Sequence, residues 1–372
     1  MLKNTASASL LGACLLSGCV AWVVGGGSDK SAVYAKTDVP PFFMVERQLP
    51  DMLWGPVRTG ADYDERSFKF DSWYESEYKK NAKIEGTFYE PHSPKATDVF
   101  IIFPISRGEL PSEKFAKILA GLGFYAVSIK SGFKPMPKEI LATVNKAATL
   151  EAAVGRLSSF FKNAMRQEIV DVMRLMDFLE ISLKNKPCAF HAVGMSLGGG
   201  IAALLAAVDP RVESLMMMVS SANLANIMLD SNFSALGVVK DIQRLLFGKY
   251  GLSYDEAYNA LSRSLEEVEP ANYIGRLNPD RILLVSGAFD MLGFVDSAIP
   301  FSATYKTWKD FGKPEWVTLL FSGHLTSFFA FFPLWFEIQF PHHAVQNLVL
   351  DTYAEHLIKD HFLPKALQYK TP

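Results

Sequence analysis

The stretch from Ala189 to Pro210, AFHAVGMSLGGGIAALLAAVDP, constrains the fold more than any other part of the chain. Its first half is apolar on both faces of an extended chain, as expected of a strand buried between two layers. Its second half is a run of Gly, Ala, Leu and Ile that ends at Asp209-Pro210, because proline resists helix continuation and restricts the residue before it. A buried strand that turns at once into a small-residue helix needs a crossover connection, and so a mainly parallel sheet flanked by helices. Gly194 and Gly198 suit the sharp turn, Gly199 and Gly200 let the helix lie close to the sheet, and Ser196 projects from the strand's C-terminal end.

The rest of the chain supplies the same alternation. Strands are expected at 83–89, 98–103, 124–129, 188–193, 213–219, 281–285 and 315–321, and helices at 112–120, 167–183 and after GMSLG. The helix at 167–183 is apolar nearly all round, with Asp171, Arg174, Asp177 and Glu180 forming a charged stripe at three-residue spacing, which predicts burial. Residues 131–165 read as an excursion before it. The folded part is expected to be one domain over residues 42–372, and 49% hydrophobic content is ample for its core. A formal net charge of -2, with no Lys/Arg cluster among aromatics, excludes nucleic acid as a partner.

A Gly-x-Ser-x-Gly string alone arises by chance in about one chain in ten of this length. Here an apolar strand precedes GMSLG and a Gly/Ala helix follows it, which is the setting of a nucleophile elbow. On these residues the chain resembles the α/β-hydrolase superfamily, from about Ile84 to the C-terminal helix, with catalytic residues in the order Ser, Asp or Glu, His. SGAFD, after the strand RILLV, supplies Asp290, and FSGH, after the last strand, supplies His324.

The resemblance implies an α/β-hydrolase fold that needs no cofactor or metal. Ser196 is then the nucleophile, His324 the general base and acid, and Asp290 the carboxylate that fixes the imidazole tautomer. The implied oxyanion donors are the backbone N–H groups of Leu197 and Ile105, the latter in FPISRG. Where the family often has His-Gly this chain has Phe103-Pro104; proline has no N–H to give, and Ser106 is the alternative donor. Should Asp290 only cap a helix, Asp296 or Asp230 is the acid. His191 belongs to the nucleophile strand and is expected to pack or hydrogen-bond there. No HExxH motif occurs.

Residues 223–279 separate two strands by far more than a crossover requires, and the resemblance makes that insertion a helical cap. After His324, residues 325–340 are rich in Phe and Trp, which fits a core helix or an apolar acyl pocket. Arg107 fits an anionic substrate group or a surface ion pair. The expected activity is cleavage of a carboxylic ester, apolar or lipid-like, through an acyl-enzyme. Peptidase, thioesterase and acyltransferase chemistry share these parts, and a catalytically silent envelope lipoprotein is the reading from another class.

The N-terminus, MLKNTASASLLGACLLSGCV, has one positive charge followed by an uncharged apolar stretch, the form of a secretory signal over residues 1–18. LSGC resembles the bacterial lipobox, and the resemblance implies lipidation of Cys19. It places the protein in the bacterial envelope, with Val20 after the cysteine fitting the outer membrane, facing the periplasm. Residues 19–41 then read as a lipidated tether, including VVGGGSDKSAVYAK. The alternative is that residues 6–27 stay as a single membrane anchor. LGAC is a weaker second lipobox. Of three cysteines, Cys14 leaves with the signal and Cys19 carries lipid, so Cys188 has no disulfide partner within the chain.

Overall fold

The computed structural model describes residues 21–24, 38–73, 82–105, 110–130, 138–183, 189–231, 237–287, 298–319, 355 and 357–367. Their extended segments form one ten-stranded sheet: β1 (Ala21–Val24), β2 (Leu53–Thr59), β3 (Tyr63–Asp71), β4 (Lys83–Pro91), β5 (Val99–Phe103), β6 (Tyr125–Lys130), β7 (Phe190–Met195), β8 (Val212–Met218), β9 (Ile282–Gly287) and β10 (Glu315–Leu319). The order across the sheet is β1-β10-β9-β8-β7-β5-β6-β4-β3-β2. The six strands from β6 to β10 through β5 are parallel, β2, β3 and β4 add antiparallel on one side, and β1 adds antiparallel on the other.

The parallel part explains why the sequence runs are so apolar. β5, β7 and β9 are buried along their whole length, because helices cover both sheet faces. One face packs against α1 (Leu110–Gly121) and the C-terminal turns Leu357–Phe362 and Leu363–Ala366. The other packs against α2 (Lys138–Asn145), α3 (Leu150–Ser182) and α4 (Leu197–Val208). The chain goes from β5 outward to β6, then crosses back past β5 to β7 and builds in the other direction. That reversal leaves a crevice between the carboxyl ends of β5 and β7, where open α/β sheets take their ligands.

Four elements differ from the expectations. The helix expected at 167–183 begins at Leu150, so much of the supposed excursion is its first half. Thr149 caps it by accepting a hydrogen bond from the Ala152 N–H (3.2 Å), worth about 1 kcal/mol. Ala153, Leu157 and Phe160 continue its buried face at helical spacing. β2 and β3 were not expected, and together with β4 they form an antiparallel flank. At the other sheet edge Ala21–Val24, expected within the tether, pairs with β10.

Between β8 and β9 the insertion is helical, with α5 (Leu224–Asp230), α6 (Gly237–Gln243), a π-turn at Arg244–Lys249 and α7 (Tyr254–Ser264). Buried residues of α5 and α7, including Leu224, Leu229, Ala257 and Leu261, join the core beside α3 and α4. α8 (Phe301–Asp310) lies between β9 and β10 in the chain.

Candidate active site

Ser196 ends β7 and starts α4. Its backbone has φ 53° and ψ -123°, a conformation that only glycine adopts without strain. Such a residue costs of the order of 1–3 kcal/mol and persists only where its surroundings over-determine it. The determinants are visible. The Ser196 N–H donates to the Met218 carbonyl of β8 (2.9 Å), and the Ser196 carbonyl accepts from the Gly199 N–H (2.9 Å) to open the helix.

Two glycines make the turn possible through close approach. A Cβ at position 194 would strike the Gly198 carbonyl. One at position 198 would strike the carbonyl oxygens of Pro104 and of Phe103, the latter at 2.7 Å. The loop leaving β5 therefore lies against the first turn of α4.

Sheet register puts Ile105 level with Ser196. Phe103 is paired with Gly194, so Ile105 and Ser196 each stand two residues beyond that pair on adjacent parallel strands. Ile105, Ser196 and Leu197 are all half-buried. The Leu197 N–H is at the first position of α4, where backbone donors have no intrahelical acceptor and the helix dipole favours negative charge. Asp290, His324, Cys19, Ser106, Arg107, Asp296 and residues 325–340 lie outside the described residues.

Next to the elbow, on the β8 side, is a polar support absent from the sequence reading. Val219 follows Met218 with φ 46°, donates its N–H to the Val285 carbonyl (2.7 Å) and is buried. A β-branched residue in this region is a true outlier. The following residue, Ser220, sits where a Cβ on Gly199 would otherwise be. Ser221 Oγ and Thr307 Oγ1 are 2.8 Å apart, and Thr307 Oγ1 accepts the Ala222 N–H (3.0 Å). This pair ties the β8 loop to α8.

Glu269 accepts the N–H groups of Leu224 (2.8 Å) and Ala225 (3.2 Å), capping α5. Burial pushes its carboxyl up to about 7, against the pull of those two N–H groups and of Lys306; Asp310 adds slightly to the rise. A buried Glu within the insertion and a Thr on α8 have no local signature, so neither was legible in the sequence.

His191 has the expected role on its strand. Its Nδ1 lies 2.9 Å from Ser214 Oγ, and its Nε2 lies 4.0 Å from Asp98 Oδ2. This Ser-His-Asp grouping is buried and stands near the amino ends of β7 and β8, away from the crevice. Asp230 accepts hydrogen bonds from the Tyr254 hydroxyl (3.0 Å) and Ser302 Oγ (2.9 Å) at the end of α5. Among the described residues no group of three His, Cys, Asp or Glu is placed to hold a metal ion, and no helix is long and apolar enough to cross a membrane.

Switch-point crevice, strained strand-to-helix turn and mainly parallel sheet together define the α/β-hydrolase fold, and known structures agree. The chain is similar to acetyl xylan esterase 1 from Thermoanaerobacterium sp. JW/SL YS485, with a TM-score of 0.53 and 15% identity over 80% of this chain and 88% of that one. It is likewise similar to an acetyl xylan esterase from Paenibacillus sp. R4, with a TM-score of 0.50 and 16% identity over 81% of this chain and 89% of that one. At these identities the likeness defines the fold alone. No protein-family model and no curated protein sequence matches the chain.

Proposed function

We propose that the protein is a serine hydrolase that cleaves a carboxylic ester through an acyl-enzyme on Ser196. The observation that carries this reading is the strained Ser196, level with Ile105 across the β5–β7 crevice and beside the Leu197 N–H. Strain held this firmly at a switch point is characteristic of a reacting residue. Support comes also from chain order, since Asp290 follows β9 and His324 follows β10 in the sequence, and from the two esterases that share the fold.

In this mechanism Ser196 Oγ attacks the acyl carbonyl carbon while His324 takes its proton, and Asp290 holds the imidazole and stabilises its charge. The carbonyl oxygen becomes an oxyanion, met by the N–H groups of Leu197 and Ile105. The C–O bond to the alcohol breaks as His324 returns the proton to the leaving oxygen. Water then attacks the acyl-enzyme with His324 again as base, releasing the carboxylic acid and restoring Ser196.

The same proposal anchors the protein to a bacterial envelope membrane by lipid on Cys19. Pairing of Ala21–Val24 with β10 favours this anchor over retention of residues 6–27 as a membrane span. An apolar or lipid-like acyl group suits that location.

Labelling with a fluorophosphonate probe tests the nucleophile. The native protein is expected to label and Ser196→Ala to lose the label, while His324→Ala lowers turnover of an activated ester by about three orders of magnitude or more with the fold intact. Undiminished labelling of Ser196→Ala would remove Ser196 from the mechanism.

A further inference from the structure

We infer that β1 holds the active-site edge of the sheet against the membrane that carries the protein, so that its ester substrate is drawn from the bilayer surface. The inference rests on the anchor at Cys19 proposed above, and the sheet register supplies the orientation. β1 runs antiparallel to β10, with Ala21 opposite Leu319 and Val24 opposite Trp316. β10 is parallel to β9, with Leu319 opposite Gly287, and β9, β8 and β7 are parallel in turn. Ala21 therefore stands at the carboxyl edge of the parallel strands. That is the edge from which Ser196 projects at the end of β7.

Distances make this more than a tether. Cys19 precedes Ala21 by two residues, which span at most about 7 Å of extended chain. Had residues 19–41 been a free tether, it would reach roughly 75 Å and impose no orientation. β7 lies four strand spacings from β1, about 19 Å along the same edge. Sheet twist fans the strand directions, yet the carboxyl ends of β7, β9 and β10 remain on one side of the hydrogen-bonded array. Acyl chains on Cys19 thus bring the crevice toward the headgroups and keep the opposite edge a strand length or more away.

The chemical class of substrate that follows is an ester with its acyl chain in the leaflet and its carbonyl at the interface.

The test uses the full-length acylated protein in vesicles of phosphatidylethanolamine and phosphatidylglycerol that contain a lipid with a fluorescence quencher on its headgroup. In a Cys188→Ser background, a fluorophore is attached either at Ser302→Cys or at Asp280→Cys. Both residues are exposed; Ser302 lies in the first turn of α8, which the chain reaches from the carboxyl end of β9, and Asp280 lies just before β9 at the opposite edge. Quenching is expected to be at least twofold stronger at 302, and a flexible segment of about 20 Gly and Ser residues inserted between Cys19 and Ala21 is expected to abolish the difference. Equal or stronger quenching at 280 in the unmodified arrangement overturns the orientation. Detergent-phase partitioning checks the anchor separately: a protein that stays in the aqueous phase, or partitions equally after Cys19→Ser, overturns the inference at its base. Fluorophosphonate labelling reports the hydrolase reading independently of both.

Discussion

Ser196 and Val219 carry positive φ values of 53° and 46°, and each is restrained by the next strand along. Ser196 is held by Met218 of β8, and Val219 by Val285 of β9. Two strained residues in adjacent turns need a rigid floor, which the Ser221–Thr307 hydroxyl pair and the Glu269 cap supply from α8 and the insertion. Glu269 makes that floor pH-dependent. Its carboxyl is raised from an ordinary 4.5 to about 7 by burial, so between those values the folded protein binds more proton than the unfolded chain. Stability from this group is therefore fully present below about 4.5, falls as pH rises towards 7 and is lost above it, by an amount of the order of 3 kcal/mol. Glu269→Gln cannot ionise, although its amide N–H₂ must face one of the two backbone donors and weaken the cap. Thermal melts from pH 4.5 to 8 are expected to show the native protein losing stability with rising pH relative to Glu269→Gln. Parallel pH profiles for the two proteins would remove Glu269 as the source.

Among the elements, α3 joins the sheet flank to the turn between α4 and β8. Its polar stripe, expected from the spacing of Asp171, Arg174, Asp177 and Glu180, is a seam in the structure. Arg174 donates to the carbonyls of Gln48 and Asp71 (both 2.9 Å), and Asp171 accepts from Ser72 and from the Trp73 N–H. At the other end Arg211, on the turn between α4 and β8, reaches Asp177 (2.7 Å), Glu180 (2.9 Å) and Asp209 (2.7 Å). Asp209 is only 1% exposed, so Arg211→Ala strands a buried carboxylate and is expected to cost about 3–5 kcal/mol in urea unfolding. A loss below about 1 kcal/mol would mean that water or rearrangement satisfies Asp209. Arg211→Lys should recover less than half, because an ammonium cannot fork to three carboxylates.

Legibility at this scale followed burial. β5, β7, β8 and β9 were readable because strands covered on both faces are continuous apolar runs. β3, YDERSFKFD, has only Phe68 and Phe70 buried among its charges, and β2 contains Gly55-Pro56 and a register shift between Trp54 and Val57, so neither gave a clear run. The first half of α3 was hidden by its polar outer face. Within the candidate site, the strand end and glycine spacing pointed to Ser196, which the structure places in a strained strand-to-helix turn, whereas Leu197 and Ile105 were implied only by the resemblance. Ser221 and Thr307 are 86 residues apart in the chain, and only tertiary packing brings them together.

The whole molecule is shaped by the way its sheet ends. An edge strand offers unpaired N–H and C=O groups to any passing strand. On the β2 side Pro56 and the nearby bulge interrupt that offer, since proline donates no hydrogen bond. On the β10 side protection comes from β1, which continues the ladder for four residue pairs and fixes the point at which the anchor segment leaves. Edge closure and orientation thus depend on the same four residues, and truncation can test the first without any membrane. A protein starting at Val20 keeps β1, whereas one starting at Gly25 exposes β10, a strand whose Trp316 and Val317 are buried side chains. The shorter protein is expected to melt at a lower temperature and to grow in size with concentration by light scattering, relative to the one starting at Val20. Both changes should reverse if an added peptide carrying AWVV restores the edge. Identical melting and size for the two would show that β1 adds nothing to closure, and would take away the fixed exit point on which a membrane-facing crevice depends.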